Sequence, residues 1–277
     1  IQNVGKDVQF AYKPFLPILG TGIVTSEGKS WMKQRRKIST ALKVDILEAI
    51  PGATLNAVRR LMVKLDKCCV SESKGDDTNE KPTIDIAEEL RHLTLQVISD
   101  TFLSLDPEES DTTFATMYLP IVEEGNKRVW SPERSYMFFM PFFWRYIFGV
   151  RRLNNYVSKL IVTRWKSRQD DSKRHKTSVG KRKSDILDKV LDHFEKENPG
   201  QNLSSRWIRQ LRDEFKTFML AGHETSAAMM TWAFFELMKN SELNEEVEKE
   251  ACLVFGEKDW SFGGSLKEDD LPSREKL

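Results

Sequence analysis

Apolar side chains recur at steps of three and four through the later part of the chain. Ile208, Leu211, Phe215, Phe218, Gly222, Thr225, Met229 and Trp232 fall on one face of an α-helix. Ser204 or Ser205 supplies an N-cap and Asn240 a C-terminal stop, so the predicted helix is ~50 Å long at 1.5 Å per residue. Arg209, Arg212, Asp213, Glu214 and Lys216 interrupt every apolar window long enough to span a bilayer. The helix is therefore read as crossing a large soluble core. Shorter helical patterns occupy 54–67, 84–102, 112–127, 153–168, 185–196 and 244–255, and a further helix opens at Gly28. The predicted class is mainly α with a long central helix.

Three segments break the periodicity. Residues 71–82 carry no apolar side chain to bury, 166–183 are dense in Lys, Arg and Asp, and 261–266 contain Gly263-Gly264. All three read as surface connections. Between Tyr136 and Phe148 nearly every residue is large and apolar, but the run is too short, and too broken by Pro141, to cross a bilayer. It either packs into the core or lies at an interface.

The chemistry concentrates where the long helix violates its own pattern. Phe218-Met219-Leu220-Ala221-Gly222-His223-Glu224-Thr225-Ser226-Ala227 sets a glycine, an acid and a hydroxyl inside an apolar run. Gly222 leaves bare backbone that a flat cofactor or a small gas ligand could approach. Thr225 can return its hydroxyl to the carbonyl of Ala221, loosening the helix ladder into a local groove. Glu224 beside it is an ionisable proton carrier, so these residues suit proton delivery to a bound reactant. The competing reading is a core helix with a tolerated glycine, a back-bonded threonine and a solvated His223-Glu224 pair. Upstream, Trp31 and Arg35 lie four residues apart on one helical face. An indole N–H and a guanidinium fork pointing the same way fit a carboxylate. A tryptophan packed under an arginine stem would look the same in sequence.

Gly-x-x-Trp-x-x-x-Arg followed much later by Ala-Gly-x-Glu-Thr-Ser resembles the cytochrome P-450 family of haem-thiolate monooxygenases. The order of helical segments between the two motifs extends that resemblance over nearly the whole chain. It implies a multi-helix haem-thiolate monooxygenase fold, with Trp31 and Arg35 contacting a haem propionate. Ala221 and Gly222 would lie over the distal face of the haem, and Glu224 and Thr225 would form the acid–alcohol pair that delivers protons during oxygen activation. His223 receives no role, because the family varies there. The resemblance also implies O2 and a hydrophobic small molecule as substrates, with a reductase or ferredoxin as electron donor. The run Lys33, Arg35, Arg36 and Lys37 would offer that donor a docking patch, and the aromatic run from Tyr136 to Phe148 would roof the substrate channel and touch a membrane surface.

The family's Glu-x-x-Arg pair and the glycine-bounded loop carrying the cysteine ligand to iron are expected after Leu277. Cys68, Cys69 and Cys252 do not sit in such a loop, so no metal ligand is assigned within residues 1–277. The chain reads as one incomplete domain, truncated at both ends. The alternative is a non-catalytic helical interaction protein, or a remnant that keeps the scaffold without haem.

Composition narrows the field further. A net charge of +1 argues against nucleic acid as the main partner, and three cysteines without regular spacing argue against a disulfide framework. The resemblance leaves a membrane-associated site in the endoplasmic reticulum or a plastid. His223-Glu224 cannot open a zinc-protease His-Glu-x-x-His, because Ala227 stands where the second histidine is needed. The stretch from Gly22 to Ser30 has five residues between its glycines where a phosphate-binding loop needs four.

Overall fold

The computed structural model describes residues 12–41, 50–71, 83–173 and 185–255. Its principal helices are α1 (Gly28–Ala41), α2 (Ile50–Ser71), α3 (Ile86–Leu103), α4 (Ala115–Trp130), α5 (Pro141–Lys173), α6 (Ile186–Glu197), α7 (Ser205–Lys239) and α8 (Ser241–Phe255). No strand occurs among the described residues, in keeping with the mainly-α class. The chain divides into two compact units, one from Ile1–Ile46 and Ser99–Ala221, the other from Leu47–Ile98 and Gly222–Leu277. Helices α3 and α7 each contribute residues to both.

In the first unit, α5 buries Tyr146, Val150, Leu153, Val157, Ile161 and Trp165, a stripe at helical spacing. Against it α4 sets Tyr118, Ile121 and Val122. Phe114 stacks on Tyr118 with ring centroids 5.4 Å apart. A π-helical turn over Ser110–Phe114 leads into α4 and holds the buried pair Ser110 Oγ and Ser99 Oγ at 2.7 Å. Helix α6 starts at an Asp185 cap that accepts from the Asp188 N–H at 2.7 Å, and Arg164 of α5 binds the same carboxylate at 2.7 Å. Phe194 of α6 makes edge contacts with Trp165 at 5.7 Å and Trp207 at 4.5 Å.

The second unit is built from α2, most of α3, the later half of α7 and α8. Leu90, Leu93 and Leu95 of α3 are buried, as are Ala53, Leu55 and Ala57 of α2. Arg60 of α2 donates to Gln96 Oε1 of α3 at 2.8 and 3.1 Å.

Several sequence boundaries shift. Helix α5 has 33 residues where periodicity gave 153–168. It starts at Pro141, whose fixed φ and missing N–H suit the first position of a helix rather than a break. Most of the aromatic run, from Pro141 to Phe148, is therefore helical, and the run begins in a turn after a 3₁₀ segment, Pro132–Ser135. The charged segment at 166–183 is likewise a helix as far as Lys173, because Arg168 bridges to Asp188 and Glu195 of α6 and the helix continues beneath its charges. Residues 174–183, 72–82 and 261–266 lie outside the described residues.

Candidate functional site

Helix α7 runs 35 residues without a break, about 52 Å at 1.5 Å per residue. Ser204 Oγ accepts from the Trp207 N–H at 3.2 Å, so the serine cap read from the sequence is in place. The helix stays α-helical from Ala221 to Thr225, with no change of helix type. A threonine hydroxyl can share the carbonyl four residues back without displacing the ladder bond. Thr217 to Asp213 O at 2.9 Å and Thr231 to Ala227 O at 2.8 Å do so on this helix. Helix α7 is thus unbroken at Thr225.

The residues of the motif divide by face. His223 is fully buried, not the solvated partner of Glu224 considered from sequence, and its Nε2 lies 3.6 Å from Glu224 Oε1. Its carbonyl accepts from Thr94 Oγ1 of α3 at 3.0 Å, and that hydroxyl also reaches Leu90 O at 3.0 Å. A Cβ on Gly222 would stand 2.1 Å from Ile98 Cδ1, so the missing side chain makes room for α3. Ala221 and Thr225 point outward and are exposed. They continue into Met229, 69 % exposed, and Trp232, 65 % exposed, at steps of four, four and three. The face carrying the small residue and the hydroxyl is thus an open apolar stripe.

Trp31 and Arg35 lie together on α1, with the guanidinium carbon 5.1 Å from the indole centroid. Both remain donor groups on one helical face, as a carboxylate partner requires. The rest of the basic run does not all face outward. Lys37 pairs with Glu197 of α6 at 3.0 Å and sits 5.0 Å over the Trp207 ring. Taken separately, α1 offers two donors on one face and α7 offers the small Ala221 on an open face, the groups that could meet a flat, carboxylate-bearing cofactor.

One cluster had no functional reading in the sequence, where its charges only interrupted an apolar span. Asp213, Glu214 and Lys216 are 1 %, 7 % and 2 % exposed in the first half of α7. Asp213 receives Arg212 at 2.9 Å, Lys216 at 3.1 Å and the Thr21 N–H at 3.1 Å. Glu214 accepts from the Ile23 N–H at 2.9 Å and from Gln210 at 2.8 Å. Lys216 also reaches Asn154 of α5 at 2.6 Å. Burial pushes the Glu214 carboxyl up to about 7, with Asp213 adding in the same direction. Burial pulls the Lys216 ammonium down to about 8, against the opposing pull of Asp213. Gly22 closes the loop on this cluster, since a Cβ there would fall 2.2 Å from Thr217 Oγ1 and 2.9 Å from the Asp213 carbonyl oxygen.

Among the described residues no group of three metal-ligating side chains occurs, and no helix is long and apolar enough to cross a membrane. Cys68 lies on α2 and Cys252 on α8, both unbridged.

A family model for cytochrome P-450 matches residues 3–275. The chain is 26 % identical over 260 residues to chloroplastic cytochrome P-450 97B1 of Pisum sativum, covering 87 % of this chain and 44 % of that protein. It is 27 % identical over 271 residues to cytochrome P-450 4X1 of Homo sapiens, covering 95 % and 49 %. It is 26 % identical over 242 residues to cytokinin hydroxylase of Arabidopsis thaliana, covering 86 % and 43 %. The chain thus spans about half the length of the curated relatives it matches.

Proposed function

The chain belongs to the cytochrome P-450 family, and from that premise we propose that the whole protein is a haem-dependent monooxygenase. It inserts one atom of O2 into a hydrophobic small molecule and reduces the other to water. The observation that carries this reading is the open stripe of α7, where Ala221 and Thr225 stand exposed between apolar neighbours while Gly222 and His223 are turned toward α3.

The haem supplies the oxygen chemistry when bound. Trp31 and Arg35 hold a propionate through the indole N–H and the guanidinium fork. Ala221, small and exposed, would let the flat ring approach α7, while the bare side of Gly222 is taken up by Ile98 of α3. The Thr225 hydroxyl both donates and accepts, so it can pass a proton at Oγ1. Glu224, with its side chain 33 % exposed, connects that position to solvent. The cysteine that would hold the haem iron is not assigned to Cys68, Cys69 or Cys252. Cys68, Cys69 and Cys252 all lie on helices, which present no sulfur from a glycine-bounded loop.

The partners follow from the same surfaces. The outward part of α1, with Lys33 and Arg36 exposed, receives an acidic reductase or ferredoxin, while Arg35 is kept for the propionate. Trp130, Tyr136, Phe138, Phe139 and Trp144 are exposed large rings near the start of α5, suited to peripheral contact with a membrane. That membrane is the endoplasmic reticulum or a plastid, and a relative named chloroplastic is compatible with the second.

The test is the haem content of the whole protein with and without Arg35→Ala, read beside O2-dependent and donor-dependent hydroxylation of a panel of hydrophobic compounds. One haem per chain, partly lost in the variant, is the expected result. A whole protein that folds and takes up no haem would replace this reading with that of a haem-free helical interaction protein.

A further inference from the structure

A cavity of about 390 Å³ opens among α1, α6 and the first half of α7, entirely within one compact unit. That volume lies in the range of small-molecule sites. Its inner wall is apolar: Phe102, Ile186, Leu211 and Phe215 are all buried. The aromatic rings are already arranged. Phe102 meets Phe215 edge-on at 5.9 Å and 85°, and lies tilted against Phe218 at 5.2 Å and 32°. Rings fixed in this way lose little side-chain freedom when a flat guest enters.

The outer wall is cationic. Lys33, Lys37 and Arg206 line the cavity, and Lys33 and Arg206 are exposed. Lys37 is matched by Glu197 at 3.0 Å. Among the described residues neither Lys33 nor Arg206 has a carboxylate within ion-pair distance, although Lys33 acts on Glu197 from further away. Glu214 is the acidic residue on the cavity wall, and its oxygens are engaged by Ile23 N–H and Gln210. The positive excess favours an anion. The presence of Glu214 and Glu197 limits that charge to about one, which disfavours nucleotides and other polyanions.

We propose that this cavity binds a planar aromatic monocarboxylate, with its ring against Phe102, Phe215 and Phe218 and its carboxylate toward Lys33 and Arg206. The site is separate from the haem-facing stripe of α7 and does not rest on the monooxygenase reading. Binding strengthens as pH falls from 8 to 6, because protonation of Glu214 removes the one negative charge on the wall. The charged groups around Glu214 are Lys33, Lys37, Arg206 and His193 on the cavity wall, Glu197 paired with Lys37, and Asp213 paired with Arg212 and with Lys216, whose ammonium, pulled down to about 8, gains positive charge as pH falls through the top of the same interval.

The experiment is calorimetric titration of the whole protein with 2-naphthoate, and in parallel with the uncharged 2-naphthamide. One-site binding of 2-naphthoate is expected, at least tenfold tighter than the amide. The double variant Lys33→Glu/Arg206→Glu, altered only at exposed positions, loses at least tenfold in naphthoate affinity while its circular dichroism is unchanged. Glu214→Gln flattens the pH dependence. Equal affinity for acid and amide, or naphthoate binding untouched by the double variant, would place the probe on the exposed aromatic surfaces and overturn the proposal. Absence of binding would overturn it as well, and none of these outcomes depends on haem content or turnover.

Discussion

The two halves of α7 invert the usual rule of burial in opposite directions. From Ser205 to Leu220 the helix takes charges inside: Asp213, Glu214 and Lys216 are buried, each with hydrogen-bonding or ionic partners. From Ala221 to Lys239 it leaves apolar groups outside, among them Met229, Trp232, Phe234, Phe235 and Met238. Buried charge is tolerated only where every lone pair and proton is answered, which makes the first half a built polar site. Exposed apolar surface on this scale marks a face that meets something. In the proposed enzyme that something begins with the haem. One helix thus carries a self-sufficient structural anchor and a face whose chemistry needs a further component.

The contrast can be broken most severely at Asp213. Asp213→Ala leaves Lys216 and Arg212 without their shared carboxylate in a buried place, and should cost about 3–5 kcal/mol in denaturant unfolding. Lys216→Met in the same background should recover part of it, because the stranded cation is then gone. A loss below 1 kcal/mol for the single variant would show that the cluster is solvated rather than structural.

A smaller effect comes from protons. Glu214 ordinarily titrates at 4.5 and is lifted to about 7. A carboxyl that holds its proton more tightly when folded contributes stability that is complete below pH 4.5 and is lost as pH rises through 7. The difference in unfolding free energy between wild type and Glu214→Gln should change by on the order of 2 kcal/mol across that interval, the wild type losing ground as pH rises. Lys216 titrates on the opposite side of neutrality. Its pKa is lowered from 10.5 to about 8, so its contribution is present above 10.5 and lost as pH falls through 8. The two windows do not overlap, and a flat difference curve from 4.5 to 7 would remove Glu214 from the account.

At the junction of the halves, Gly222→Ala must displace Ile98 Cδ1, and should cost about 1–2 kcal/mol after the gain in helix propensity. Adding Ile98→Val, which deletes that methyl, should restore most of the loss. Additive effects of the two changes would show that the glycine is not there for α3.

The smallest effect on stability, and the sharpest on function, belongs to the open face. Thr225→Ala should leave unfolding within about 0.5 kcal/mol, since the residue is exposed. In the whole enzyme it should lower product formed per electron consumed and release hydrogen peroxide. Unchanged coupling would take Thr225 out of the proton path.

The sequence announced the course of α7 and the anomaly on its open half better than the buried anchor. Ser204, the periodic apolar positions and the Ala221–Thr225 anomaly were legible because each rests on local spacing. The anchor was not, because Asp213 and Glu214 find their backbone donors at Thr21 and Ile23, 192 and 191 residues away. No window of sequence brings those groups together. Helix α5 was underestimated for a related reason. Its aromatic beginning and charged end both lack the clean alternation that marks an amphipathic helix, and its length is supported by α4 and α6 instead. Gly222 was legible as an exception, but Ile98 as its occupant was not.

The separation between Thr21 and Asp213 also has a meaning in time. During synthesis at ~5–20 residues per second, the loop around Gly22 leaves the ribosome tens of seconds ahead of the carboxylates that will hold it, roughly 10–40 s for 192 residues. Through that interval the Thr21 and Ile23 amides lack their carboxylate acceptors. The nascent chain therefore holds a turn closed by its own local bonds but with two amides whose acceptors have not yet been made, and the arrival of α7 supplies them.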